Sequence, residues 1–314
     1  MGFLSTVLFS ALFALIAFKI YLKLVMAWCR SQVCLVGKTV VVTGANTGVG
    51  YEAAIDFAKR GAEVILACRN EDKAAEARDR IRRETDNPNV SYVLVDFASL
   101  ASVRRCADEI KKKLKRLDVL VNNAGSGNQR GFTEDGLDKQ MQTNYFGPFL
   151  LTNLLLDLIT NTPKSRIVNV SSTGAKYAKP IELESLNDDP GPIMMYARTK
   201  LCNVLFTIEL ARRLRGTTTT TYSLHPGSVA TEIFRDLSPH LSLLYNYAFK
   251  WFFKTATEGA QTTIYCAVQK GIEQYTGEHF EDCKYVTRYE SARTDDPELP
   301  RKLWENSELL VKLK

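Results

Sequence analysis

From Phe3 to Phe18 the chain carries sixteen consecutive residues without a charge, and apolar side chains continue through Ile20, Tyr21, Leu22, Leu24, Val25, Met26 and Trp28. At a rise of about 1.5 Å per residue the uncharged run reaches roughly 24 Å, and extension to Trp28 reaches roughly 39 Å, with Lys19 and Lys23 long enough to snorkel toward headgroups. Residues 1–30 are therefore expected to form a membrane-anchor helix, spanning or deeply inserted; the alternative is an N-terminal helix buried in the body. Lys19, Lys23, Arg30 and Lys38 all follow the run. A cleaved signal peptide would place charge before it, so an uncleaved anchor is favoured, with the body on the cytosolic side.

Beyond Gly37 the pattern changes period. Short β-branched or apolar runs at Lys38–Val42, Glu63–Ala67, Val90–Val95, Asp118–Val121, Arg166–Val170 and Thr218–Leu224 read as strands, and most of the intervals carry helical spacing, as from about Gly50 to Arg60. Alternation of this kind predicts a parallel sheet covered on both faces: an α/β, doubly wound Rossmann-type fold. No Pro/Gly-rich linker or internal repeat divides residues 37–314, so they are expected to form a single dinucleotide-binding catalytic domain.

Composition narrows the partners. Lys and Arg number 41 against 35 Asp and Glu, a net charge of +6, and no long basic tract is present. The cluster from Lys111 to Arg116 fits the wet face of a helix, which argues against nucleic acid as a partner. Seven scattered cysteines without a C-x-x-C pair predict neither a disulfide framework nor a metal site, and fit a reducing compartment.

The chemistry starts after the first predicted strand. Thr43-Gly44-Ala45-Asn46-Thr47-Gly48-Val49-Gly50 lies between strand and helix, where glycines let a backbone approach closely and a helix N-terminus attracts a pyrophosphate. Ordinary glycines of a strand-to-helix turn would give the same spacing. Asn122-Asn123-Ala124-Gly125 closes the fourth strand at the carboxyl edge of the same sheet, where ligands sit in such folds.

With these motifs the sequence resembles the short-chain dehydrogenase/reductase superfamily and, within it, the retinol dehydrogenase-like branch. Residues 37 to about 290 carry the resemblance. Besides the two motifs above, they include Ala67-Cys68-Arg69, Asn144 in Q-T-N-Y-F-G-P-F-L-L-T, I-V-N-V-S-S at 167–172, Tyr196-Ala197-Arg198-Thr199-Lys200, H-P-G-S-V-A-T at 225–231 and E-G-A-Q-T at 258–262. The resemblance implies NADP(H) or NAD(H) as coenzyme, held by Gly44, Asn46, Thr47, Gly48, Val49, Gly50, Arg69, Asp96, Asn123, Ala124, Gly125, Tyr196, Lys200, Pro226, Gly227, Val229 and Thr231. Arg69, standing where NAD enzymes place a carboxylate, favours NADP(H). Glu71 and Asp72 are expected to point to solvent.

Four catalytic residues follow by resemblance: Asn144, Ser172, Tyr196 and Lys200. Tyr196 and Lys200 are four apart in a helical pattern, so they share a face, and the ammonium is expected to lower the tyrosine pKa from its reference of about 10. Tyr196 would exchange the proton with the substrate oxygen, Lys200 would also hold the nicotinamide ribose, and Ser172 rather than Ser171 would bond the reacting oxygen. Pro148 has no N–H to offer the Asn144 carbonyl in a helix over 137–156, and the freed carbonyl could hold a water linking Lys200 to solvent; a kinked helix without a relay is the alternative.

A substrate lid is expected near 232–256, where Leu237, Leu241, Leu243, Leu244, Tyr245, Tyr247, Phe249, Trp251, Phe252 and Phe253 suit a small lipophilic substrate, though a core helix would account for some of them. The expected function is NADPH-dependent interconversion of a lipophilic carbonyl and its alcohol, retinal and retinol foremost. A steroid or other lipid carbonyl is the close alternative, and a non-catalytic membrane or lipid-droplet scaffold is the alternative of another class. The reading places the protein at the endoplasmic reticulum membrane or another intracellular membrane, in contact with membrane lipid, and leaves a homodimer open.

Overall fold

The computed structural model describes residues 2–229, 253–286 and 296–314. Helix α1 runs Gly2–Leu24. The body follows with β1 Thr39–Thr43, α2 Gly48–Lys59, β2 Glu63–Cys68, α3 Glu71–Thr85, β3 Val90–Leu94, α4 Leu100–Lys113 and β4 Val119–Asn122. Next come α5 Lys139–Met141, a π-helical turn Gln142–Phe146, α6 Gly147–Leu154, α7 Leu156–Thr160, β5 Arg166–Val170, α8 Pro192–Arg213 and β6 Thr220–His225. The chain closes with α9 Ala256–Val268, β7 His279–Glu281, β8 Lys284–Tyr285 and α10 Leu299–Leu310.

The strands form one sheet in the order β3-β2-β1-β4-β5-β6-β7-β8. All pairs are parallel except β7 with β8, a short antiparallel edge that the sequence pattern did not announce. Strand β1 shows why the sheet is central. Its Thr-Val-Val-Val-Thr run is buried throughout, with Val40 and Val42 in one core and Val41 in the other, as the period of two requires. Helices α2, α3 and α9 supply Phe57, Ile81 and Ile264 to the first core, while α4, α6, α8 and α10 supply Ile110, Phe149, Phe206 and Trp304 to the second. Strand order reverses between β1 and β4, which opens a crevice at the carboxyl ends of the strands.

The expected helix over 137–156 is interrupted. Gly147 N–H donates to the Gln142 carbonyl, five residues back, so the chain widens into a π turn directly before Pro148. A proline cannot close the usual bond to residue 144, and the wider turn accommodates that.

Among the described residues no helix is long and apolar enough to cross a membrane. Most of the described side chains of α1 nonetheless stand open: Phe9 is 73% and Phe13 74% exposed. The segment after it does not hang free of the body. Arg60 Nη1 donates to the carbonyls of Ser31 (2.7 Å) and Val33 (3.1 Å), Leu35 is buried, and Cys29 N–H donates to Gln261 Oε1 at 3.2 Å.

Candidate active site

The loop after β1 forms the floor. Gly44 turns the chain with φ +64°, and a Cβ there would stand 2.9 Å from Ala124 Cα, so only glycine lets the β1 and β4 loops touch. Thr43 locks them together: its Oγ1 accepts from the N–H of Asn123 and of Ala124, both at 2.9 Å, while Asn123 Nδ2 donates to the Thr43 carbonyl at 2.9 Å. Helix α2 starts at Gly48 with Thr47 extended and making no side-chain cap, which leaves the first amides of the helix facing the crevice.

Above this floor lies a cleft of 1010 Å³. Of the residues expected to hold coenzyme or act in catalysis, Gly44, Asn46, Thr47, Gly48, Val49, Arg69, Asp96, Asn123, Ala124, Gly125, Ser172, Tyr196, Lys200, Pro226, Gly227 and Val229 line it. Gly50 does not. A Cβ on Gly50 would meet Asn123 Nδ2 and stand 2.7 Å from the Gly44 carbonyl, so this glycine lets the start of α2 pack against the loops after β1 and β4. Thr231 and most of the expected lid, 230–252, lie outside the described residues; of its described end, Phe253 lines the cleft.

At one end of the cleft stand Ser172, Tyr196 and Lys200. Tyr196 and Lys200 project from α8, with Lys200 Nζ 5.6 Å from the Tyr196 ring centre. Ser172 stands beside Tyr196 across Gly174, and its Oγ accepts from Gly174 N–H at 3.1 Å. Ser171 turns away, donating to the Lys200 carbonyl at 2.7 Å, which supports the choice of Ser172. Lys200 is buried, its Nζ donates to the Val170 carbonyl at 3.0 Å, and burial draws its pKa down to about 8. The expected lowering of the tyrosine pKa is not what the site shows. Burial of Tyr196 raises it, and the pull in the other direction comes from Ser172 rather than from the ammonium. Lys200 spends its charge on Val170, beside the ring rather than at the hydroxyl.

Asn144 stands directly behind Gly125, which lines the cleft. Its side chain pairs with the backbone of Ser126, Oδ1 accepting at 2.8 Å and Nδ2 donating at 2.8 Å, and it does not line the cleft. The carbonyl that Pro148 leaves without a helical partner accepts from Asn203 Nδ2 at 3.2 Å. A protein amide thus takes one lone pair at the position where the sequence reading put a water.

At the other end Arg69, Asn70 and Lys73 surround the start of α3. Asn70 caps the helix by accepting from Lys73 N–H at 2.8 Å. Glu71 is held outward by the Tyr92 hydroxyl at 3.2 Å, and Asp96 is the one carboxylate among the described lining residues. Lys73 escaped the sequence reading although it lies one turn beyond Arg69. His225 and Ile193 also escaped it. Burial and the nearby Lys254 ammonium draw the His225 pKa down to about 4, so it is a neutral imidazole at the cleft wall. Ile193, three residues before Tyr196 on the same helical face, is 80% exposed at the mouth; helical spacing alone could have found it.

These features fit a dinucleotide: a glycine floor that a Cβ would fill, open helix amides for a pyrophosphate, a cationic pair at one end and a buried ammonium at the other.

The short chain dehydrogenase family profile matches residues 38–242. Retinol dehydrogenase 11 of Mus musculus is 40% identical over 309 residues, covering 98% of this chain and 96% of that protein. Retinol dehydrogenase 14 of Homo sapiens is 43% identical over 297 residues, 88% of this chain and 87% of the relative. Among solved structures, an uncharacterized protein from Mycobacterium paratuberculosis superposes with a TM-score of 0.72 at 33% identity, covering 91% of this chain and 98% of the other. A short chain dehydrogenase from Shigella flexneri complexed with NADP shares the fold, with a TM-score of 0.63 at 23% identity over 81% of this chain and 100% of the other.

Proposed function

The chain belongs to the short-chain dehydrogenase family, and from that premise we propose that it is an NADP(H)-dependent oxidoreductase that interconverts a lipophilic aldehyde or ketone and its alcohol, with retinal and retinol as the foremost pair. The observation that carries the reading is the joint placement of Ser172, Tyr196 and Lys200 at one end of a cleft whose other end is cationic. NADPH, when bound there, would supply a hydride for the carbonyl carbon. Tyr196 Oη gives its proton to the carbonyl oxygen as negative charge develops there, and takes it back when the alcohol is oxidised. Ser172 bonds that same oxygen and orients Tyr196, as its place beside the tyrosine supports. Lys200 holds the ribose and keeps a positive charge beside the ring. Burial raises the Tyr196 pKa, which suits the hydroxyl to act as the acid of the reductive direction.

Preference for NADP(H) rests on Arg69 and Lys73, which suit a 2′-phosphate, and on the outward hold on Glu71. Ile193 and Phe253 at the mouth suit an apolar substrate body, and the 40% identity to a retinol dehydrogenase supports a retinoid. The N-terminal segment would insert into an endoplasmic reticulum membrane, with the catalytic domain on the cytosolic side. Exposed Phe9 and Phe13 support insertion, and extraction of the full chain from membranes by alkaline carbonate would count against it.

The test of function is NADPH oxidation by the purified full chain, presented with retinals, steroid ketones and fatty aldehydes. Turnover of a retinal ahead of the other classes is expected. Faster turnover of a steroid ketone would move the substrate assignment, and NADPH binding without turnover of any class would favour a scaffold.

A further inference from the structure

Glu258 is shared between two jobs. Its carboxylate accepts from Thr255 N–H at 2.8 Å, completing the capping box of α9, and from Lys23 Nζ of α1 at 2.5 and 2.6 Å. The two residues are 235 positions apart in sequence, and Glu258 is largely buried while Lys23 is half open. Burial alone would push the Glu258 carboxyl up; the Lys23 ammonium and the Thr255 amide outweigh it and hold the group below its usual range.

The first turn of α9 is also the back of the coenzyme cleft. Gly259, the next residue, is wedged so tightly that a Cβ on it would lie 2.5 Å from Val229 and 3.1 Å from Val49, both of which line the cleft. Thr257 Oγ1 donates to Glu52 Oε2 at 3.0 Å, which ties the same turn to α2 just past its phosphate-facing start. On the other side Lys254 N–H donates to the Ser228 carbonyl at 2.8 Å, joining the turn to the 226–229 loop. An element packed this closely transmits displacement rather than absorbing it.

We propose that the Lys23–Glu258 pair is a positioning joint: through it the N-terminal helix seats the first turn of α9 against Val49 and Val229 and thereby sets coenzyme affinity. The N-terminal segment would then be part of the support of the cleft, besides any role as an anchor. The inference rests on the cleft being the coenzyme site, and not on the identity of the carbonyl substrate.

The test is NADPH titration, by quenching of intrinsic fluorescence, and steady-state kinetics on the full chain in detergent for native protein, Lys23→Gln, Lys23→Arg, Glu258→Gln and the double variant Lys23→Gln/Glu258→Gln. Lys23→Gln leaves the capping box untouched, and Glu258→Gln still offers an amide oxygen to Thr255 N–H, so neither change removes the cap. Lys23→Gln should weaken NADPH binding by roughly two- to fivefold, the range open to a partly exposed ion pair, with KM for NADPH raised alike and kcat unchanged. The double variant should be no weaker than the worse single variant, and Lys23→Arg should bind as the native chain does. Native affinity in Lys23→Gln, or single effects that simply add, would overturn the joint while leaving the function reading intact. Loss of thermal stability without a change in affinity would also overturn it, marking the pair as structural alone. Failure of the native chain to bind NADPH would overturn both the joint and the coenzyme reading.

Discussion

Gly50→Ala offers the sharpest test of how the coenzyme floor is built, because the expected sign is opposite to the ordinary one. Replacing a helical glycine with alanine normally stabilises by about 0.5 to 1 kcal/mol. At Gly50 the added Cβ would run into Asn123 Nδ2 and come to 2.7 Å from the Gly44 carbonyl. Asn123 would have to swing aside and give up its 2.9 Å bond to the Thr43 carbonyl. Loss of that bond costs about 1 to 3 kcal/mol if the carbonyl is left unmet, and forcing a methyl into a packed site costs about 1 to 3 kcal/mol more. After the helical gain is subtracted, net destabilisation of about 1 to 5 kcal/mol is expected. Urea unfolding followed by tryptophan fluorescence would read it as a lower midpoint with an unchanged slope, and NADPH affinity should fall as well because Asn123 and Gly44 both line the cleft. A Gly50→Ala chain as stable as the native one would refute the packing argument.

Three further outcomes concern the chemistry. Tyr196→Phe should lower kcat by about 100- to 10,000-fold while NADPH affinity stays nearly unchanged, since the ring is kept and only the proton-exchanging hydroxyl is lost; retention of most turnover would remove Tyr196 from the mechanism. Arg69→Ala should raise the KM for NADPH far more than that for NADH, and a further rise in Arg69→Ala/Lys73→Ala would show that both cations meet the 2′-phosphate, whereas equal effects on the two coenzymes would sink the assignment. Lys200 makes a prediction about pH with two signs. Its folded pKa is about 8 against an ordinary 10.5, so the ammonium proposed to hold the coenzyme is lost as pH rises through about 8, and NADPH affinity should fall there. Between about 8 and 10.5 the unfolded chain holds this proton and the folded chain does not, so the contribution of Lys200 to stability should rise over the same window. Binding titrations and urea melts from pH 7 to pH 10 would check the pair, with Lys200→Met as the reference that shows neither trend.

Local chemistry was legible where a residue's neighbours in sequence are also its neighbours in space. The runs at 63–67 and 166–170 became strands because β-branched residues buried on both faces leave little else to form, and Tyr196 and Lys200 met because four residues is about one helical turn. At Gly50 a second reason for glycine was hidden, because a glycine that touches a ligand and one that lets Asn123 approach leave the same letter. Long-range competition hid the rest. Whether Pro148 frees the Asn144 carbonyl for a water depends on Asn203, a residue of another helix, and whether Lys200 lowers the tyrosine pKa depends on Val170, which draws its ammonium aside. Strand β8 is two residues long, too short for a period to register, and the docking of residues 23–35 on α9 and Arg60 joins segments with no shared pattern.

The lock between Thr43 and Asn123 also has a meaning for how the chain comes into being. Its two halves lie 80 positions apart, and the parallel pairing of β1 with β4 that holds them requires that whole interval to be synthesised and folded back first. Closing so long a loop precedes any return from the contacts it makes, which places the coenzyme floor among the late events of folding. A nascent chain that has made only the glycine turn after β1 therefore has no floor to offer, and a coenzyme held there would discriminate between finished and unfinished molecules. Once the floor exists, a coenzyme that binds the native state alone would deepen its well by mass action, so that scarcity of coenzyme in either redox form would shorten the lifetime of the protein.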